Sequence, residues 1–216
     1  MTGSLTRVAG RLVAALWLAA APAAQAATIE GVVALPARPA PAPASRYAQT
    51  VGEVRDPDPP VAVVYVEGTG QQPKTGRPVA VAQEGYQFTP GLVVVPTGSV
   101  VEFPNHDPEY HSVFSYSKAR RFDLGRFQRD ERPPPLTFEG PGVVKLYCDI
   151  HEHMRGTILV VDTPYFQKTD AGGRYRIDGL PAGHLVVKAW LDETTVRERT
   201  IDVGANETRR VDFPAE

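Results

Sequence analysis

From residue 78 to the C-terminus, apolar residues come in short runs closed by Gly, Pro, Asn or Asp, and no stretch holds the period of a helix. The runs VAVA (79–82) and YQF (86–88) stop at Gly85 and at Thr89-Pro90-Gly91. LVVV (92–95) and SVVEF (99–103) flank Pro96-Thr97-Gly98, which predicts a hairpin. A loop (104–110) leads to the strand His111-Ser112-Val113-Phe114. Residues 115–135 are polar and basic, end in three prolines, and are predicted to run over the surface. Gly140-Pro141-Gly142 then turns into VVKLY (143–147), and TILVV (157–161) follows. Beyond residue 163 come YFQK (165–168), RYRI (174–177), LVVKAW (185–190) and two more strands at 196–203 and 208–213, separated by Gly-rich turns. Strands spaced roughly 8 to 12 residues apart in this way predict an all-β chain built from sandwiches.

Upstream, TIEGVVAL (28–35) reads as a strand and VAVVYV (61–66) as a buried one, joined by a Pro/Ala-rich linker (36–44) and a second break at 56–60. At the N-terminus Arg7 and Arg11 precede an apolar run (12–24), and Ala24-Gln25-Ala26 supplies a small-residue cleavage pattern. Residues 1–26 are therefore expected to be a secretory signal, too short and alanine-rich for a spanning helix. Its removal takes away two arginines and no acid, moving the formal charge from -2 to -4. That balance speaks against nucleic-acid binding, and export to a periplasm is the expected destination.

Export gives the single cysteine, Cys148, its weight. In an oxidising compartment a lone cysteine is reactive, intermolecular or metal-bound. It lies in Tyr147-Cys148-Asp149-Ile150-His151-Glu152-His153-Met154, and Met154 is the only methionine besides Met1. A thiolate and two imidazoles with a weak thioether form the donor set of a blue-copper electron-transfer site. Cys148, His151 and Met154 supply three of these groups, and His111, at the start of a strand, is the candidate for the second imidazole. One tight loop would present two ligands, and a sheet-held histidine would close the site.

Blander readings compete. Cys148 and Met154 are also plausible core residues, His151 a surface histidine, and His111 a strand histidine bonded to backbone. His153 and His106 read as bystanders, with His153 an alternative ligand, and His184 has no role. Lys118, Arg120, Arg121, Arg126, Arg129 and Arg132 read as a solvated face or as steering for an acidic redox partner. Structural zinc would use more Cys or His and no thioether, and a cysteine nucleophile leaves Met154 without purpose.

Residues 78–162 resemble the cupredoxin family. The Cys-x2-His-x2-Met spacing of Cys148, His151 and Met154 is similar to the short ligand loop of its amicyanin type. Phe103-Pro104-Asn105 with His111-Ser112-Val113 resembles the segment that carries the first His ligand. The resemblance implies a Greek-key β-sandwich and one type 1 copper ion, with His111, Cys148 and His151 equatorial and Met154 axial. It implies an electron carrier rather than an enzyme, working with a redox protein such as a c-type cytochrome or a dehydrogenase. One departure is Ser112, where the family usually has Asn.

The turns Thr169-Asp170-Ala171-Gly172-Gly173 and Gly179-Leu180-Pro181-Ala182-Gly183 resemble the carboxypeptidase regulatory-like β-sandwich. Residues 28–35 and 61–66 look like its first strands. The expected organisation is a discontinuous sandwich, 28–74 plus 163–216, with the cupredoxin domain (75–162) inserted. Tandem proteins of this look are often labelled methylamine-utilisation or plastocyanin-like. Two other functions stay open: a copper-binding or delivery protein without electron-transfer turnover, and a non-redox interaction module.

Overall fold

The computed structural model describes residues 26–37, 58–69, 71 and 76–215. All of the predicted signal but Ala26, and most of the Pro/Ala-rich linker, lie outside them. Among the described residues every regular element is a strand, so the all-β expectation holds, and no helix is long and apolar enough to cross a membrane.

The chain begins with β1 (Ala27–Val32) and β2 (Val63–Glu67). Then come β3 (Val79–Ala80), β4 (Ala82–Gln83), β5 (Phe88–Thr89), β6 (Leu92–Pro96), β7 (Ser99–Glu102), β8 (His111–Tyr116) and β9 (Arg121–Phe127). After these lie β10 (Leu136–Phe138), β11 (Gly142–Tyr147), β12 (Arg155–Val161) and β13 (Phe166–Lys168). The last four are β14 (Arg174–Leu180), β15 (Gly183–Trp190), β16 (Val196–Val203) and β17 (Thr208–Arg210).

Two sandwiches result. In the central one, a sheet ordered β6-β12-β11-β8-β9 faces a sheet ordered β10-β7-β3. Val93, Val95, Val101, Phe103, Val113, Phe138, Val144, Leu146, Ile158 and Val160 fill the space between them. The other sandwich sets β14-β1-β17 against β13-β2-β15-β16. Its core holds Ile29, Val64, Val66, Ile177, Leu180, Leu185, Val187 and Phe213. Strands β1 and β2 thus pair with strands from the far end of the chain, Ile29 opposite Ile177 and Val64 opposite Ala189.

The runs that are apolar at consecutive positions, rather than alternating, are the ones buried on both faces. In β12, Ile158 and Val160 enter the central core, while Leu159 and Val161 point the other way. In β2, Val64 and Val66 enter the second core, while Val63 points outward with Tyr65. The outward sets meet each other: Val63, Leu159, Val161 and Trp190 form one buried cluster, with Tyr65, Leu92, Val94, Val143 and Phe166 at its margin. The two sandwiches are therefore cemented face to face. Lys168 Nζ adds a hydrogen bond to the Leu92 carbonyl at 3.1 Å.

Two sequence expectations are corrected. Residues 92–103 do not form a hairpin, because β6 and β7 lie in opposite sheets. The Thr97 amide donates to Val161 and the Gly98 amide to Phe138, with Gly98 at φ 83°, so the turn carries the chain across the sandwich. Alternation alone cannot distinguish strands that lie side by side from strands that face each other across a core. Residues 121–127, expected in a surface excursion, form the edge strand β9, paired to β8. Phe122 and Leu124 pack on the central core, a pattern hidden in the sequence by the surrounding charge. A bulge at Leu124 and Gly125 (φ 69°) adds one residue to β9, which brings Arg126 opposite Ser112.

Candidate metal centre

His111 opens β8, and Cys148 follows the last residue of β11. The β11–β12 hairpin closes with Tyr147 opposite Arg155, and its loop carries Cys148 to Met154. The Met154 amide donates to the His151 carbonyl at 2.9 Å, which makes the loop a tight turn. His111, Cys148 and His151 converge, each offering one ligand atom and all three atoms within 4.8 Å of one another. Nδ1 of His111 lies 3.0 Å from Nδ1 of His151, and Cys148 Sγ lies 4.0 Å from the latter. His111 is fully buried, Cys148 nearly so, and His151 partly open. Met154 is fully buried in the central core.

The supports lie one layer out. The Asp107 carboxylate meets His111 Nε2 at 2.9 Å and accepts the amides of Gly85 and Tyr86 at 2.8 and 3.0 Å. Asn105 braces this turn: its Oδ1 accepts the Asp107 amide, and its Nδ2 donates to the carbonyls of Glu109 and Phe127. Tyr86, at φ 56°, stands edge-on to His111 and His151 at ring separations of 5.8 and 5.2 Å. On the other side the Ser112 amide points at Cys148 Sγ, 3.5 Å away. The Ser112 hydroxyl donates to Asp149 Oδ1 at 2.6 Å and accepts the Asp149 amide at 2.9 Å. Arg126 grips Asp149 Oδ2 through Nε and Nη2 at 3.1 and 2.7 Å.

These contacts set the electrostatics without a metal. Burial pushes the Cys148 thiol up, but hydrogen bonds from His111 and the Ser112, His151 and Ile150 backbone outweigh it and bring it down to about 7. Burial lowers His111, yet Cys148 and Asp107 raise it past its ordinary value. His151 is held low by burial and by the neighbouring His111 and His153. Arg126, then Ser112, holds the Asp149 carboxyl below its usual range. Burial and the Glu109 carboxylate push Tyr86 up to about 12, so its hydroxyl stays protonated at neutral pH.

The donor set fits a copper ion. A carboxylate only accepts hydrogen bonds, so Asp107 takes the Nε2 proton of His111, and Nδ1, which donates to Cys148 while the ring is charged, offers a lone pair once the ring is neutral. Two imidazole nitrogens and an easily ionised thiol then face one spot, the arrangement soft and borderline metals favour.

Of the sequence candidates, three come together here, and Met154 lies in the core of the same sandwich. His153 is exposed, its ring 6.0 Å from that of His151. His106 is exposed as well, its backbone bonded to Gln83 and Arg129. His184 pairs with Asp202. Sequence reasoning missed Asp107, Tyr86, Asp149 and Arg126 as supports. An acid four residues before His111 was the one available signal.

No family model matches the chain, and no curated protein matches it. Solved structures do, in 77 chains. A copper-containing nitrite reductase from Thermus scotoductus is 27% identical over 45% of this chain, with a TM-score of 0.39. The chain spans 25% of the length of that enzyme. A Cu(I) structure of an amicyanin variant is 17% identical over 45% of this chain and 98% of its own, with a TM-score of 0.36. A purple cupredoxin from Nitrosopumilus maritimus is 22% identical over 39% of this chain and 98% of its own, with a TM-score of 0.34.

Proposed function

We propose that this chain is an exported single-copper electron carrier whose ion would be held by His111, Cys148, His151 and Met154. The observation that carries the reading is the approach of two imidazole Nδ1 atoms to 3.0 Å beside a buried cysteine. Groups that would otherwise compete for a proton share a position suited to one metal ion. The Cys-x2-His-x2-Met spacing and the resemblance to cupredoxins point the same way.

The bound ion would supply a one-electron couple, Cu(II) reduced to Cu(I) by a donor and reoxidised by an acceptor. The protein's own part is to keep the ligands still. His111 is held by a sheet, and the Cys148 loop is tied to β8 and β9 through Ser112, Asp149 and Arg126. A site that does not rearrange favours transfer over chemistry on a substrate. His151 is the open ligand and is the side a redox protein, such as a c-type cytochrome or a dehydrogenase, would approach.

The test is the visible spectrum of the protein with Cu(II), beside Cys148→Ser. An intense thiolate-to-copper band, bleached by reductant and absent from the variant, is expected. Copper binding without the band, unaffected by the variant, would sink the carrier reading in favour of delivery. No binding at all would leave a non-redox interaction module.

A further inference from the structure

We propose that Asp107 is the positioning residue of this centre: it selects the His111 tautomer that presents Nδ1 to the metal, and its charge biases the centre toward the oxidised ion. The second half rests on the copper reading above; the first does not.

The geometry is specific. His111 Nε2 and Asp107 Oδ2 are 2.9 Å apart, and neither residue is open to solvent beyond 8%. The carboxylate cannot swing away. Its oxygens are anchored by the Gly85 and Tyr86 amides, contributed by the turn between β4 and β5, and its own amide is held by Asn105. A fixed acceptor at Nε2 enforces the Nε2–H form of neutral imidazole. Carboxylates placed behind metal-binding histidines also make the ring a stronger donor. A negative charge relayed through the ring stabilises Cu(II) more than Cu(I), because the attraction grows with the charge of the ion. His151 is bounded instead by the rings of Tyr86 and His153. The two imidazoles are therefore inequivalent, one braced by a buried anion and one facing outward.

Two variants separate position from charge. Asp107→Asn keeps a carbonyl oxygen for Nε2–H and the Tyr86 amide, removes the charge and gives up the acceptor of the Gly85 amide; Asp107→Ala removes all of these. The first measurement needs neither copper nor a variant: 15N-resolved imidazole spectra of the metal-free wild type at a pH where His111 is neutral. A protonated Nε2 and bare Nδ1 are expected, and the reverse tautomer would overturn the positioning role even if both variants fail to fold. With copper, Asp107→Ala should bind roughly 10- to 100-fold more weakly. Asp107→Asn should keep the thiolate-to-copper band and show a higher reduction potential than wild type. An unchanged potential with the band intact would overturn the charge role. Absence of the band in wild type would defeat the copper reading and with it the charge role, while the tautomer spectrum still decides the positioning role.

Discussion

Ser112 and Asp149, 37 positions apart in sequence, form a closed pair: the serine hydroxyl donates to the aspartate carboxylate at 2.6 Å and accepts the aspartate amide at 2.9 Å. The pair joins the start of β8 to the residue after Cys148. A short side chain thus ties the loop to the sheet, with help from an acid in the loop itself.

Ser112→Ala should therefore loosen the loop. The Asp149 amide loses its acceptor, and a net loss of about 2 kcal/mol is expected, the low end for one neutral and one charge-assisted hydrogen bond because the Asp149 side chain is 41% exposed. Denaturant unfolding and amide exchange at Asp149 measure it. Unchanged exchange there would show that the loop holds its shape without the pair.

Arg126→Gln should act through the same acid and more weakly, because both partners of the ion pair are substantially exposed, at 62% and 41%. Arg126 depresses the Asp149 carboxyl. A depressed carboxyl contributes stability that is present above the ordinary carboxylate range and lost as pH falls through its lowered value. The difference between wild type and variant should accordingly vanish in strong acid and shrink in high salt. A difference that persists in both would point to packing rather than charge.

The metal-free protein should show a Cys148 thiolate forming near pH 7, followed by its ultraviolet absorbance, instead of near the ordinary value of 9.0. His111→Ala should move that titration upward. Because the folded value is the lower one, the Cys148 contribution to stability is complete above the unfolded value and is lost as pH falls through about 7. A titration near 9 in wild type would contradict the arrangement of donors around Sγ.

Copper should stabilise the fold by mass action. At a free concentration 100 times the dissociation constant the gain is about 2.7 kcal/mol, read as a rise in the unfolding midpoint with Cu(II). In Cys148→Ser the rise should be much smaller. Equal stabilisation of both proteins would place the ion elsewhere.

Trp190→Ala tests the joint between the sandwiches. Trp190 is 5% exposed, and truncating a buried aromatic costs about 3 to 5 kcal/mol. The thermal midpoint should fall while the Cys148 titration stays in place, since Trp190 packs with Val63, Leu159 and Val161, outside the cluster that holds Cys148 and Met154. A shifted titration would mean that the joint shapes the loop.

The all-β class, the turn positions and the convergence of His111, Cys148 and His151 were legible because each leaves a local mark: alternation, Gly or Pro punctuation, and donor residues at fixed spacing. Even the joint between the sandwiches has such a mark, in runs such as 61–66 and 157–161 that are apolar at consecutive positions. Partnership across a core leaves none. Whether 92–95 and 99–103 pair or face each other depends on which neighbouring strands take their backbone hydrogen bonds, and β12 and β10 do so. The roles of Asp107, Asp149 and Arg126 were hidden for the same reason, since an exposed-looking charge acquires a function only when the fold gives it a buried or hydrogen-bonded partner. The sequence by itself determined which atoms could hold a metal and which faces had to be buried. The tertiary structure decided which charges stand behind those atoms, because that follows from strand register and from a bulge at Gly125, both fixed only when the sheets close on their cores.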